Sequence, residues 1–232
     1  MRFPTLPNNT DFDPGLVTTD ILSRLSPERH PVPLIFIDTL HHFPETLNLL
    51  NTVKARYPTA EINVFTPKDT PTEADFVAKH GPELWKRNEP LYDYTVKVEP
   101  ARRAYSQLDV RAVLTGRRKS QGGARGSLDI IEIDETGLIK VNPMANWSFK
   151  QVESYIREHN VPYNGLLDRG YRSVGDWHST APVKEGEDER AGRWKGQQKT
   201  ECGLHEDYIA MRIKAKLEAA QRANGASEIV VV

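Results

Sequence analysis

Cys202 is the single cysteine among 232 residues, and it stands in the polar string Lys199-Thr200-Glu201-Cys202-Gly203-Leu204-His205-Glu206. One thiol forms no intramolecular disulfide, builds no cysteine zinc site and holds no iron–sulfur cluster by itself. A free cysteine is more often a small core hydrophobe, but the neighbours here describe an activated thiolate. Lys199 and His205 lower a thiol pKa, Gly203 leaves room for close approach, and the flanking charges favour contact with water. Upstream lie two basic clusters, Arg117, Arg118, Lys119 and Arg125, then Arg190, Arg193 and Lys195. Guanidinium groups make bidentate bonds to phosphate or sulfate oxygens, and the Gly122-Gly123 pair lets backbone amides reach the same anion. A solvated basic turn is the plainer reading of either cluster alone. Together with the thiol they point to a small polyanionic ligand beside a nucleophile.

The histidines and tryptophans add less. His41, His42 and His178 have no Cys or carboxylate cluster at metal spacing beside them, so structural or pocket-lining roles are expected and no metal site. Trp177 and Trp194 read as packing residues, with cover for an adenine ring or a closed lid as the other reading.

These groups need a scaffold. Charged residues make up 27% and hydrophobic residues 38% of the chain, and the net charge is −1, so no global field draws it to nucleic acid. Mean hydropathy is −0.58, no apolar run is long enough to span a membrane, and the first residues lack the apolar core of a secretory signal. A cytoplasmic location is expected. Apolar runs at 33–38, 61–66 and 110–115 read as strands, with helical periodicity at 15–25 and 45–57 between or before them. The alternation predicts an α/β fold, a parallel-type sheet flanked by helices, with ligands at the carboxyl ends of the strands. That rule puts Asp38, Thr39 and Leu40 on one rim with the 115–119 loop. Segments 128–133 and 138–141 predict a hairpin closed by Asp134-Glu135-Thr136-Gly137. An amphipathic helix is expected over 147–159 with Ser148 near its N-cap, and a last one over 208–222. From 170 to 200 the periodicity disappears, which marks a long functional or disordered loop.

Taken in order, the motifs IDTLHHFPET (37–46), KVEPARRAY (97–105), TGRRKSQGGAR (115–125), GYRSVGDWHST (170–180), EGEDERAGRWKG (185–196) and ECGLH (201–205) resemble one family. It is that of the thioredoxin-dependent phosphoadenylyl-sulfate reductases of assimilatory sulfate reduction, most closely the fungal branch. The resemblance implies an adenine nucleotide alpha hydrolase-like fold with a mobile C-terminal loop carrying the catalytic cysteine. It implies a reaction in which Cys202 attacks the sulfur of 3′-phosphoadenylyl sulfate, giving an S-sulfocysteine and adenosine 3′,5′-bisphosphate, after which thioredoxin or glutaredoxin releases sulfite. On this basis Cys202 and His205 are expected to be catalytic. Asp38, Thr39, Leu40, Arg117, Arg118, Lys119, Arg125, Arg190 and Arg193 are expected to bind substrate, with no bound cofactor and no iron–sulfur cluster; members of the family are commonly homodimeric, and the sequence itself does not decide the oligomeric state.

The expected organisation is an atypical segment 1–14, a nucleotide-binding domain 15–169, an active-site segment 170–205 and a helix with a tail over 206–232. The departure from the family lies at the start. Where the family has a strand and a glycine-rich phosphate loop, this chain has Asp11-Phe12-Asp13-Pro14, whose carboxylates repel an anion and whose proline lacks an amide. A truncated or misassembled N-terminus is the expectation. The competing reading is a catalytically weak nucleotide-binding relative.

Overall fold

The computed structural model of the protein describes residues 14–28 and 32–195, together with Lys199, Met211, Ile213 and Leu217. Helix α1 (Pro14–Leu25) buries its first seven residues. Its Leu16 and Val17 pack with Val53 and Tyr57 at the end of α2 (Pro44–Arg56), with Leu34 of β1 (Leu34–Ile37), and with Val152 and Ile156 of α7 (Phe149–His159). The polar side of the same helix is also used. Asp20 is buried and accepts from the hydroxyls of Tyr57 and Tyr155, each at 3.0 Å, and from Arg24 at 2.6 Å. The buried carboxylate thus joins three helices, because a buried charge must be fully hydrogen-bonded.

Strand β1 pairs in parallel with β2 (Ile62–Phe65), Leu34 opposite Ile62 and Ile37 opposite Phe65. All four residues of β1 are buried, as expected of a parallel strand covered on both faces. The second group of strands has the order β3-β5-β4. Strand β3 (Ala112–Leu114) runs parallel to β5 (Ile139–Val141), and β5 is antiparallel to β4 (Ile131–Ile133). The predicted hairpin turn forms because Asp134 Oδ1 accepts from the amides of Thr136 and Leu138 at 2.9 and 3.1 Å, while Gly137 takes φ +82°. Ile35, Ile37, Phe65, Val113 and Leu138 share one core with Ala101 and Ala104 of α6 (Glu99–Gln107), which joins the two groups of strands.

The periodicity reading did not resolve 73–107. Helix α3 (Glu73–His80) is capped by the Thr72 hydroxyl, followed by α4 (Leu84–Arg87) and α5 (Glu89–Asp93). A π-helical turn over Tyr94–Val98 then joins α5 to α6. The run Tyr94-Thr95-Val96-Lys97-Val98 has the β-branched alternation of a strand. Burial of Tyr92, Val96 and Val98 overrides that preference. Segment 170–195, read from sequence as a long functional or disordered loop, is ordered. It is fastened by the bridges His42–Asp176 and Thr180–Arg193, and Ser173, Val174, Asp176, Arg193 and Trp194 are buried.

Candidate active site

Segment 170–195 lies across the carboxyl ends of β1 and β3. At β1, the Thr39 hydroxyl donates to Asp176 at 2.6 Å, Asp38 accepts from the Leu40 amide at 2.9 Å, and Leu40 is held at φ +67°. At β3, the chain leaves through Thr115 and Gly116. A Cβ on Gly116 would lie 2.7 Å from the Gly15 nitrogen and 2.9 Å from the Pro14 Cβ, so only glycine lets α1 approach this closely. Arg117 then pairs with Glu132, and Arg118, fully buried, donates to Glu189 at 2.8 Å. Arg125 bonds Gln121, and Lys119 is exposed. The first basic cluster therefore meets carboxylate and amide partners from the protein itself, and Arg118–Glu189 ties the rim loop to the C-terminal segment.

The second cluster faces a cavity of 220 Å³ lined by Gly122, Gly123, Asp188, Arg190, Arg193 and Lys199, among others. Gly122 and Gly123 both take positive φ, +69° and +57°, a conformation that other residues rarely adopt. The guanidinium of Arg193 sits against Gly175, 4.4 Å from the centre of the Trp194 ring, and Arg190 lies 5.5 Å from the same ring. Trp194 is thus a buried packing platform for cations, whereas Trp177 is 45% exposed. Of the predicted substrate-binding residues, Arg190 and Arg193 share this cavity with the glycine pair. Thr39 reaches them through Asp176 and Gly175. Arg117, Arg118, Lys119 and Arg125 do not line it. Cys202 and His205 lie outside the described residues, as do positions 1–13. Of the helix expected over 208–222, Met211, Ile213 and Leu217 are described and are helical.

Beside the cavity lies a buried charge network that sequence reasoning missed. Lys97 bridges Asp93 at 2.9 Å and Asp176 at 2.8 Å, and Tyr92 donates to Asp176 at 3.2 Å. Burial is the largest single influence and would raise both carboxyls, but it is outweighed for Asp176 by the charges of Lys97, His42 and His178 with the Lys97 hydrogen bond, and for Asp93 by the charges and hydrogen bonds of Lys97 and Lys199 together, so both are held below the ordinary carboxylate range. Burial, followed by the charge of Asp176, pushes the Tyr92 phenol well up. His178 lies 3.0 Å from the Tyr92 hydroxyl and stacks on Trp85 at 4.2 Å, and burial brings its pKa down to about 4. His41 is buried in the same aromatic group, and the ring of His42 contacts the Ile37 carbonyl at 3.0 Å. The readable signal was Glu89, Asp93 and Lys97 at intervals of four, one face of a helix. The Lys199 ammonium meets Glu89 and Asp93, and the thiol whose pKa it was expected to lower lies outside the described residues.

Residues 13–182 match the family model described as the phosphoadenosine phosphosulfate reductase domain. A phosphoadenosine phosphosulfate reductase of Emericella nidulans is 63% identical over 192 residues, covering 82% of this chain and 63% of that protein. One from Saccharomyces cerevisiae is 58% identical over 211 residues, 89% of this chain and 81% of that protein. The chain thus spans less than two thirds of the Emericella relative and about four fifths of the yeast one. The crystal structure of a phosphoadenylyl-sulfate reductase from Candida auris, a phosphate complex, superposes with a TM-score of 0.69 at 49% identity, over 78% of this chain and 84% of that one. With the order of the motifs, the α/β sheet and the glycine–arginine cavity, these likenesses establish that the chain belongs to the phosphoadenosine phosphosulfate reductase family, on its fungal branch.

Proposed function

We propose that this chain reduces 3′-phosphoadenylyl sulfate to sulfite and adenosine 3′,5′-bisphosphate, as an oxidoreductase of sulfate assimilation. The observation that carries the reading is the convergence of the Gly122-Gly123 turn with Arg190 and Arg193 on one cavity, which Lys199, three residues before Cys202, also lines. The Cys202 thiolate attacks the sulfonate sulfur, the sulfur–oxygen bond to phosphate breaks, and the nucleotide leaves with the electron pair. Arginines are suited to the charge that grows on the departing phosphate, because their fork matches its oxygens, and His205 assists at the thiol. A thiolate of reduced thioredoxin or glutaredoxin then attacks the sulfur of Cys202 and expels sulfite, and the reductant's second thiol releases Cys202 as a disulfide forms on the reductant. With one cysteine the chain has no resolving thiol of its own, so the two electrons come from the partner.

The family resemblance supports the rest of the reading: a homodimer in the cytoplasm with no bound cofactor and no iron–sulfur cluster. No helix among the described residues is long and apolar enough to cross a membrane. The test is to incubate the reduced chain with 3′-phosphoadenylyl sulfate without thioredoxin and measure intact mass beside Cys202→Ser. One sulfonate on the wild type alone is expected, followed by sulfite release when thioredoxin is added. No adduct on folded wild-type protein, or an equal one on Cys202→Ser, overturns the proposal.

A further inference from the structure

Thr39 follows β1 on the rim, where a substrate contact was expected, yet the residue is 1% exposed and its side chain faces the protein. A threonine hydroxyl carries one proton. Thr39 gives that proton to Asp176 at 2.6 Å and accepts the His41 amide at 3.4 Å. Asp176, also 1% exposed, is held from its other side by the Lys97 ammonium at 2.8 Å and the Tyr92 hydroxyl at 3.2 Å. The hydroxyl of Thr39 therefore meets a charged acceptor that is already fixed in place. Main-chain contacts run beside this bond. His42 and Asp176 form an antiparallel bridge, and the Trp177 amide donates to the His41 carbonyl at 2.9 Å.

Each end of the bond bears on a part of the site. On the rim, Leu40 is held at φ +67°, its side chain packed against the cluster of Phe76, Leu84, Tyr92 and Val96, and Asp38 accepts its amide. A left-handed leucine costs free energy and persists only where its surroundings over-determine it. On the other side, Gly175 directly precedes Asp176, and the Arg193 guanidinium fills the space that a Cβ on Gly175 would need, with Nη1 3.4 Å from the Val174 carbonyl. A shift of Asp176 thus moves the surface on which Arg193 rests. We infer that Thr39 is a positioning residue, whose bond to Asp176 clasps the rim loop 38–42 to segment 170–195 and so places Arg193, without Thr39 itself touching the nucleotide. The effect on binding rests on the proposed nucleotide substrate, whereas the clasp rests on the fold.

The experiment compares Thr39→Val, Thr39→Ser, Asp176→Ala and the Thr39→Val/Asp176→Ala double variant in the full chain. Calorimetric affinity for adenosine 3′,5′-bisphosphate and the rate of tryptic cleavage after the exposed Lys184 are measured on each, with melting temperature as the check of folding. Thr39→Val keeps the shape and removes the hydroxyl. It is expected to weaken nucleotide binding about 10-fold, the worth of one hydrogen bond to a charged group, and to speed the cleavage. Thr39→Ser should keep both near wild type. The double variant should bind no more weakly than Asp176→Ala alone, because residues that share one bond do not add. Fully additive losses would make Thr39 a direct nucleotide contact and overturn the inference. So would equal losses in Thr39→Ser and Thr39→Val, or an unchanged affinity or cleavage rate in Thr39→Val. If Asp176→Ala does not fold, the valine and serine variants decide. A wild-type chain that binds no nucleotide would refute the substrate reading, and the cleavage rates would still decide the clasp.

Discussion

Buried carboxylates and the lysines that hold them set the electrostatics of this site more than the exposed basic residues do. Asp176 faces Lys97, Thr39 and Tyr92, with His178 3.9 Å away. The His178 ring is neutral near pH 7 because burial holds its pKa at about 4, against a contrary pull from Asp176. Its folded value lies below an unfolded one of about 6.5, so the stability it contributes is full above about pH 6.5 and is lost as pH falls towards 4. The melting temperature should therefore decline over that interval, and His178→Gln should give a shallower decline. Equal slopes in the two proteins would show that other groups carry the acid sensitivity. The i, i+4 series Glu89, Asp93 and Lys97 was open to reading from sequence, and so was the basic character of Arg190 and Arg193. Asp176 was not, since its partners lie 79, 84 and 137 positions away in the chain at Lys97, Tyr92 and Thr39.

Helices and turns were legible where local chemistry decides them. Ser148 caps α7 by accepting from the Gln151 amide, and the Gln151 side chain accepts in return from the Ser148 amide at 2.8 Å, a reciprocal pair visible in the spacing of the two residues. By contrast the packing of α1 on the rim depends on Gly116, whose role no periodicity reveals. Gly116→Ala should cost about 1–3 kcal/mol by forcing the Gly15 backbone away, against about 1 kcal/mol for Ser148→Ala. Urea denaturation reads both. A Gly116→Ala midpoint no lower than that of Ser148→Ala would show that α1 accommodates the methyl. The π-helical turn at Tyr94–Val98 illustrates the opposite case, a β-branched run made helical by the core it enters.

On the scale of the molecule, Arg118 and Glu189 join parts of the chain 71 positions apart at 2.8 Å, with side-chain exposures of 0% and 9%. Removing one member of such a pair leaves a buried charge, and Glu189→Ala should lower stability by about 3–5 kcal/mol. The exposed turn at 184–186 should then be cleaved faster by protease. An Arg118→Met/Glu189→Leu variant should regain most of the loss, because an apolar pair removes the desolvation penalty. If it remains as unstable as Glu189→Ala, the pair is needed for shape and not for charge balance.

Local pattern determined the strands at β1 and β2, the hairpin of β4 and β5, the helices α1, α2 and α7, and the chemical kinds of group available: a lone thiol, paired glycines and two sets of arginines. These follow from the periodicity of burial and from turn chemistry, which act over a few residues. Tertiary structure alone decided which arginines face the cavity and which are taken up by Glu132 and Glu189. It also ordered segment 170–195, whose residues have no repeating pattern because they contact the rim one at a time, through Asp176, Glu189 and Arg193. The same is true of Lys199, a polar residue by sequence and an anchored one by structure. Ion pairs between distant elements leave no period in a chain, so their geometry is known only once the fold has brought them together.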